Sequence, residues 1–124
     1  MLHNENNPHI YLAKNHTFRK EFAQNVLNCT KCSGLSGYYE DSDGRLCRIK
    51  MVNKVIKQSP TEYKKGLVYF YNEEYNKLQE FGGYYLIVVF DETSVYEVII
   101  VEPNNITVNS LQQTRVWDSL YNLN

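Results

Sequence analysis

The stretch Gly82-Gly-Tyr-Tyr-Leu-Ile-Val-Val-Phe-Asp91 decides the fold of this 124-residue chain. From Tyr84 to Phe90, seven consecutive residues are aromatic or aliphatic, and a glycine pair precedes them. Such a run is typical of a strand that is covered on both faces, and it is far shorter than the roughly 20 apolar residues that cross a bilayer. The stretch therefore predicts the central strand of a layered domain without a membrane segment.

The segments next to this run predict further parts of the same sheet. Val95 to Val101 follow after a short polar turn, which favours a hairpin. Upstream, Leu67 to Tyr71 predicts a strand, and Asn72 is the predicted N-cap of a short helix that ends at the glycine pair. Glu73 and Glu74 lie in the first turn of this helix, where the helix dipole favours negative charge.

The N-terminal half predicts a helix and a hairpin. Apolar residues recur at four-residue spacing after Thr17, so we expect an amphipathic helix that ends near Leu27. Residues 28–37 contain two Cys, two Gly and two Ser and predict a loop. Asp43-Gly44 is a strong turn signal because glycine adopts positive φ without steric cost. It predicts a hairpin between residues 38–41 and 45–52, and a polar loop should follow it.

The two ends of the chain complete the predicted organisation. Residues 1–14 are polar and predict a flexible arm. Ser110-Leu-Gln-Gln113 has the form of a capping box, which predicts a C-terminal helix with Trp117 on its inner side. Residues 15–124 should then form one α+β (α/β) domain, in which about three helices flank a central mixed sheet.

Charge is distributed unevenly along the chain, although the net charge is only −1. Residues 14–65 carry eleven Lys and Arg against five Asp and Glu, whereas residues 66–124 carry two against eight. A basic face would attract phosphates, and an acidic face a basic partner, unless folding mixes both signs over one surface. Eleven tyrosines favour either the margin of a β-rich core or a recognition surface.

The composition also bears on compartment and source. The apolar fraction of 43% and the charged fraction of 22% are ordinary for a folded protein and argue against global disorder. The N-terminus has neither a basic nor an apolar segment of the secretory type, so we expect a cytoplasmic protein. Abundant Asn, Tyr, Ile and Lys would suit an AT-rich genome, such as that of a virus or mobile element.

Three features carry a resemblance to a known family. Glu21 lies in the predicted first helix, the strand after Asp43-Gly44 contains Arg48-Ile-Lys50, and Tyr69 to Gly83 leads into the apolar strand. Together they resemble the PD-(D/E)XK nuclease-like family, which includes archaeal Holliday junction resolvases. In that family a glutamate often stands in the first helix and Glu-X-Lys in the strand, and a strand-helix-strand unit follows.

The resemblance implies a nuclease-like fold that faces nucleic acid. An active site of this kind uses carboxylates to bind Mg²⁺ or Mn²⁺ and a lysine to stabilise charge in the transition state. Lys50 keeps the lysine, but Arg48 stands where the family has Glu, and a guanidinium cannot bind a cation. The candidate carboxylates are Glu40, Asp41 and Asp43 at the hairpin, and Glu21 or Glu74 on neighbouring helices.

Three functions are compatible with these features. The first is a catalytically degenerate nucleic-acid-binding protein, and the second an active, divergent metal-dependent nuclease that uses Lys50 and Glu21. The third is a small interaction module or inhibitor that binds another protein through its acidic, Tyr-rich half. A homodimer is expected if a strand of the hairpin between Tyr84 and Val101 lies at the sheet edge and pairs with a second copy, and the family resemblance also favours dimers. The basic residues expected to contact phosphates are Arg45, Arg48, Lys50, Lys54 and Lys57. The alternative for them is a solvated strand edge.

The cysteines predict a weaker site. Cys29-Thr-Lys-Cys32 has a spacing that lets two thiolates reach one Zn²⁺, and Cys47 is a possible third ligand. His16 is the nearest histidine in the sequence. The sequence favours unligated structural cysteines over this site, and a local disulfide or redox role is the third interpretation.

Overall fold

The fold is seen in a computed structural model that describes residues 16–25, 27–31, 37–92, 94–106 and 111–123. The strands are β1 Thr30–Lys31, β2 Tyr38–Glu40, β3 Leu46–Asn53, β4 Val55–Lys57, β5 Tyr63–Lys65, β6 Leu67–Tyr71, β7 Tyr84–Asp91, β8 Ser94–Val101 and β9 Gln112–Val116. The helices are α1 His16–Asn25 and α2 Asn72–Phe81, with two 3-10 segments at Pro103–Asn105 and Trp117–Leu123. The predicted arm, residues 1–14, lies outside the described residues.

A mixed sheet in the order β1-β2-β3-β7-β8 forms the centre of the molecule. Strands β3 and β7 are parallel, and the other neighbouring pairs are antiparallel. Two further pairs, β4 with β5 and β6 with β9, lie outside this sheet. The predicted α+β domain with a central mixed sheet is thereby confirmed.

Strand β7 is the buried centre predicted from its sequence, because Tyr84 to Phe90 are all buried. Successive side chains of a strand point to opposite faces of the sheet. Tyr85, Ile87 and Val89 therefore belong to one core with Leu78 of α2. Leu86, Val88 and Phe90 belong to a second core with Phe22 of α1. We call these two sides of the sheet the α2 face and the α1 face.

The local signals near the centre of the chain are confirmed. Gly44 has a φ of 83° in the turn between β2 and β3, as the Asp-Gly pattern predicts. Helix α2 ends at Gly82, whose φ of 69° forms the left-handed cap. The N-cap of this helix differs from the prediction, because Tyr71 rather than Asn72 occupies that position. Glu74 accepts a hydrogen bond from the Tyr71 backbone amide at 3.3 Å, which closes the first turn.

The predicted C-terminal helix is wrong over residues 112–116. This segment is strand β9, which pairs antiparallel with β6 from Leu67↔Val116 to Tyr71↔Gln112. Pairing with β6 gives hydrogen-bond partners to backbone groups along the whole segment, whereas a capping box satisfies only amides in the first turn of a helix. The segment after it, Trp117–Leu123, is a 3-10 helix rather than an α-helix, and Ser110 lies outside the described residues.

Two segments predicted as loops contain short strands. Thr30–Lys31 adds β1 to the edge of β2, and the polar segment after β3 folds into the β4-β5 hairpin. Neither segment has an apolar pattern of its own, so the strands depend on backbone pairing with their neighbours.

A close backbone approach fixes the β4-β5 hairpin and β6 against the end of β3. The carbonyl oxygen of Lys54 accepts hydrogen bonds from the Gly66 amide at 3.3 Å and from Trp117 Nε1 at 2.9 Å. A Cβ atom on Gly66 would lie 2.0 Å from the carbonyl oxygen of Asn53, so only glycine fits there. This contact positions the groove described below.

Across the described part of the chain, no helix has both the length and the apolar character that a bilayer crossing requires.

Candidate nucleic-acid interface

An ion-pair cluster lies on the α2 face where β3 meets the start of α2. Alternation along β3 puts Arg48 and Lys50 on the same face as Leu46 and Val52 of the α2-face core. The first turn of α2 brings Glu74 to the same place. Its carboxylate oxygens lie 2.8 Å from Arg48 Nε and 2.8 and 2.9 Å from Lys50 Nζ. The three side chains together carry one net positive charge.

This cluster is largely shielded from solvent. The exposed fractions of the three side chains are 20% for Arg48, 12% for Lys50 and 10% for Glu74. Arg48 Nη1 also donates to the carbonyl oxygen of Gly37 at 2.6 Å. Because each charge is paired while partly desolvated, the cluster fixes where α2 begins relative to β3.

Tyrosine side chains lie close to the cluster, and its charges contribute to the pKa shifts of two of them. The Arg48 guanidinium lies 5.3 Å from the ring centroid of Tyr38, and Lys50 Nζ lies 5.2 Å from that of Tyr71. Burial, followed by the nearby charge of Glu74, raises the pKa of Tyr38 and that of Tyr85 above the usual value for a phenol. The Tyr85 hydroxyl is buried and finds no hydrogen-bond partner within the described segments.

A groove runs from this cluster along the outer side of β6 to the β4-β5 hairpin. Two clefts of about 180 and 340 Å³ make up the groove, and they share Met51, Leu67 and Tyr69. The remaining lining residues are Arg48, Lys50, Val68 and Tyr71 in the smaller cleft, and Val52, Asn53, Ile56, Lys64 and Gly66 in the larger one. This lining contains three cationic side chains and not one carboxylate among the described residues.

The tyrosines of the groove owe their position to the pattern of β6. Val68 and Phe70 are buried in the α2-face core, so Tyr69 and Tyr71 point outward. Their exposed fractions are 44% and 42%. Two aromatic rings two residues apart therefore face the groove.

The β4-β5 hairpin presents different residues on its two sides. Lys64 pairs across the strands with Ile56, and both line the groove. Lys57 pairs with Tyr63, so alternation puts these two exposed side chains on the outer side of the hairpin. Neither Lys57 nor Lys64 has an ion-pair partner within the described residues.

The five basic residues singled out in the sequence do not form one continuous free surface. Arg48 and Lys50 reach the groove, but Arg45 pairs with Glu102 at 3.0 Å and donates to the carbonyl oxygen of Gly82 at 3.0 Å. Lys54 Nζ lies 3.7 Å from Asp91 and 4.0 Å from the ring centroid of Tyr96. Lys57 lies on the outer side of the hairpin. The structure therefore brings two of the five residues together in the groove.

The candidate metal ligands at the β2-β3 turn do not converge on Lys50. Asp41 accepts hydrogen bonds from the backbone amides of Asp43 and Arg45 and from the Tyr84 hydroxyl, at 2.9, 2.8 and 2.8 Å. Partial burial would by itself raise the pKa of Asp41, but these hydrogen bonds together lower it below the usual value. Asp41 is thus a turn residue whose carboxylate already accepts three hydrogen bonds.

The other candidate carboxylates are also separated from Lys50. Glu40 and Asp43 are exposed at the hairpin, and Glu21 is exposed on α1, which covers the opposite face of the sheet. The structure therefore does not bring Glu21 and Lys50 into one site. Of the alternatives, Glu74 does reach Lys50. In the part of the chain that the structure describes, no group of three or more His, Cys, Asp and Glu residues is arranged to hold a metal ion.

The cysteines lie in the α1-face core. Cys29 and Cys47 are both buried, and burial, together with the neighbouring Cys29, raises the pKa of the Cys47 thiol well above its usual range. The third residue of the proposed zinc set, Cys32, lies outside the described residues, as does the side chain of His16.

Sequence reasoning missed Lys64, Tyr69 and Tyr71 as groove residues. A signal for the tyrosines was present in Leu67-Val-Tyr-Phe-Tyr71. Its two tyrosines, which carry a polar hydroxyl, alternate with purely apolar residues in the manner of a half-buried strand. Lys64 had no comparable signal, since its side of the hairpin depends on a register that only the folded chain reveals.

Comparison with protein-family models, with curated proteins and with solved structures gave no match. The resemblance to the PD-(D/E)XK nuclease-like family therefore stays a prediction.

Proposed function

We propose that this protein binds nucleic acid through the β6 groove and does not cut it. The observation that carries this proposal is the composition of the groove lining, in which three cations and two exposed tyrosines occur without a carboxylate. A negatively charged backbone is attracted to such a surface, and bases have flat faces that pack on aromatic rings. The degenerate nuclease-like fold is part of the proposal.

The electrostatics of the groove support binding more than catalysis. The carboxylate of Glu74 contacts Lys50, and the same carboxylate is committed to Arg48. Hydrolysis by the metal-dependent route needs carboxylates that are available to a cation beside the lysine. Here the carboxylate instead neutralises one of two adjacent cations, which leaves a single positive charge facing the groove.

The larger cleft supplies a second positive charge. Lys64 is exposed and lines the groove, without an ion-pair partner among the described residues. An unpaired surface lysine contacts a phosphate without first breaking an intramolecular salt bridge. The groove therefore offers two separated positive charges to one polyanion, and Tyr69 lines both of the clefts in which these charges lie.

The proposal is tested by incubating the protein with labelled single-stranded, double-stranded and branched DNA and with single-stranded RNA. Each sample is analysed on native and denaturing gels, with and without Mn²⁺, at two salt concentrations. We expect a shift that weakens with salt, and intact substrate on the denaturing gel. Lys64→Ala should weaken binding, whereas Lys57→Ala removes an equal charge from the outer side of the hairpin and should change it less than about twofold.

Two results would overturn the proposal. Cleavage that requires Mn²⁺ and disappears in Lys50→Ala would establish a divergent nuclease in its place. A chain that is folded by circular dichroism but shifts none of these nucleic acids would direct the search to a protein partner of the acidic, Tyr-rich half.

A further inference from the structure

We infer that the β6 groove selects a single strand, with unpaired bases stacked on Tyr69 and Tyr71 and the backbone held by Lys64 and the Arg48–Lys50 pair. This inference rests on the proposed function and deepens it by naming the form of nucleic acid. The juxtaposition that carries it is two outward tyrosines on one strand beside a groove of two clefts, with Arg48 and Lys50 lining the smaller cleft and Lys64 lining the larger one.

The first step of the argument concerns the faces of the rings. A tyrosine ring stacks only on a base whose own face is open, and in a duplex the neighbouring base pairs cover both faces of each internal base. Tyr69 and Tyr71 expose over two-fifths of their surface beside the clefts. Such rings have little to contact on the outside of a double helix, so their chemistry favours unpaired bases.

The second step concerns spacing. Residues i and i+2 of a strand are roughly 7 Å apart, which is about two nucleotide steps of 3.4 Å along a stacked strand. A single strand that follows β6 therefore passes both rings in turn. The cleft of about 340 Å³ beside Tyr69 is of the size that encloses a small planar organic group, which suits one extruded base.

The third step concerns charge. Lys64 lies at the hairpin end of the groove, and the Arg48–Lys50–Glu74 cluster, with its one net positive charge, lies at the other end. Positive charge at both ends and aromatic rings between them match the arrangement by which single strands are held, with phosphates on the cations and bases on the rings. Lys50 also lies close to one of the rings, because its Nζ is 5.2 Å from the ring centroid of Tyr71.

The hairpin provides matched controls for each part of this arrangement. Tyr63 and Lys57 are exposed on the outer side of the hairpin, opposite the side on which Lys64 lines the groove. Tyr63→Ala removes a ring that is more exposed than either groove tyrosine, and it leaves the groove intact. A surface that binds nucleic acid by general attraction would respond alike to the inner and outer substitutions.

The experiment compares affinities for one labelled oligonucleotide, alone and annealed to its complement, at a single salt concentration by fluorescence anisotropy. We expect the single strand to bind at least about tenfold more tightly than the duplex. Tyr69→Ala should weaken single-strand binding by about 5- to 150-fold, the size of one lost base stack. Tyr69→Phe keeps the ring and should retain binding, and Tyr63→Ala should be neutral.

The possible outcomes separate this inference from the function on which it rests. Equal affinity for both forms, or a Tyr69→Ala effect no larger than that of Tyr63→Ala, overturns single-strand selection while nucleic-acid binding stands. Loss of binding in both Tyr69→Ala and Tyr69→Phe would assign the effect to the hydroxyl and would also overturn base stacking. Absence of binding to either form overturns both proposals. Thermal unfolding of each variant confirms that the tested protein is folded.

Discussion

The carboxylate of Glu74, from the first turn of α2, holds the ammonium group of Lys50, from the middle of β3, at 2.8 Å. The same carboxylate accepts a hydrogen bond from Arg48 Nε at 2.8 Å. A helix start and a strand that are 24 residues apart in sequence are thereby joined by one side chain. This arrangement turns the strand's two cations into one structural unit and leaves a single excess charge for the groove.

Removing the Glu74 charge should destabilise the protein strongly. Glu74→Gln leaves Arg48 and Lys50 without an anion in a site that is only 10 to 20% exposed. Unpaired charges in fully buried sites cost about 3–5 kcal/mol, and residual solvent reduces this here to about 2–3 kcal/mol. Urea unfolding measures the change as a lower midpoint. Glu73→Gln, at an exposed neighbouring position, is the control and should stay within about 0.5 kcal/mol.

A methyl group at Gly66 should loosen the wall of the groove. The added Cβ of Gly66→Ala would lie 2.0 Å from the Asn53 carbonyl oxygen and 2.7 Å from Val52 Cγ2. Because backbone must move to admit it, we expect a loss of about 2–3 kcal/mol. Gly44→Ala meets no atom within 4 Å, so it reports the cost of positive φ alone, about 1 kcal/mol. Equal costs in the two variants would show that the close approach is not needed.

The dependence of the binding constant on salt concentration should report how many phosphates the groove neutralises. Two phosphates neutralised on a single strand give a slope of log K against log salt of about −1.4. Lys64→Ala should reduce the slope to about −0.7, and Lys57→Ala should leave it unchanged. The slopes come from anisotropy titrations at several salt concentrations. A steep slope that Lys64→Ala does not alter would place the contact elsewhere on the surface.

The Asp41 carboxylate should contribute to stability only above acidic pH. Its folded pKa is lowered, so the ionised form favours the folded state; this contribution is present above about pH 4, the unfolded value, and disappears as pH falls through the folded pKa. Asp41→Asn should cost about 1 kcal/mol at pH 7 and progressively less as the pH falls below about 4. Asp43→Asn, at an exposed position in the same turn, is the control in urea unfolding at pH 7 and should change the free energy of unfolding by less than about 0.5 kcal/mol.

The buried thiols should resist modification while the protein is folded. Cys29 and Cys47 lie in the α1-face core, and the raised pKa of Cys47 keeps its thiol protonated and unreactive at neutral pH. In a Cys32→Ser variant, a thiol reagent such as Ellman's should react slowly with the native protein and rapidly with both remaining cysteines after unfolding in guanidinium chloride. Rapid reaction of the native variant would contradict the burial of this pair.

Local sequence determined the elements whose signals are short-range or strongly apolar. The run Tyr84 to Phe90 favoured a strand covered on both faces, Asp43-Gly44 set the β2-β3 turn, and the glycine pair ended α2. Each signal acts within a few residues, through side-chain burial or through the freedom of glycine to adopt positive φ. The helix α1 was likewise visible from its apolar spacing.

The tertiary structure decided what depends on partners distant in sequence. Gln112 to Val116 became a strand because β6 offered backbone hydrogen bonds, although its local pattern favoured a helix. Glu74 became the partner of Lys50 because α2 begins beside β3, and the predicted partner Glu21 was carried to the other face of the sheet. Lys64 and Tyr69 share a groove because one hairpin register and one close contact at Gly66 put them there. Composition and periodicity specify which face of an element is buried, whereas the pairing of those faces is fixed by packing and backbone hydrogen bonds across the whole chain.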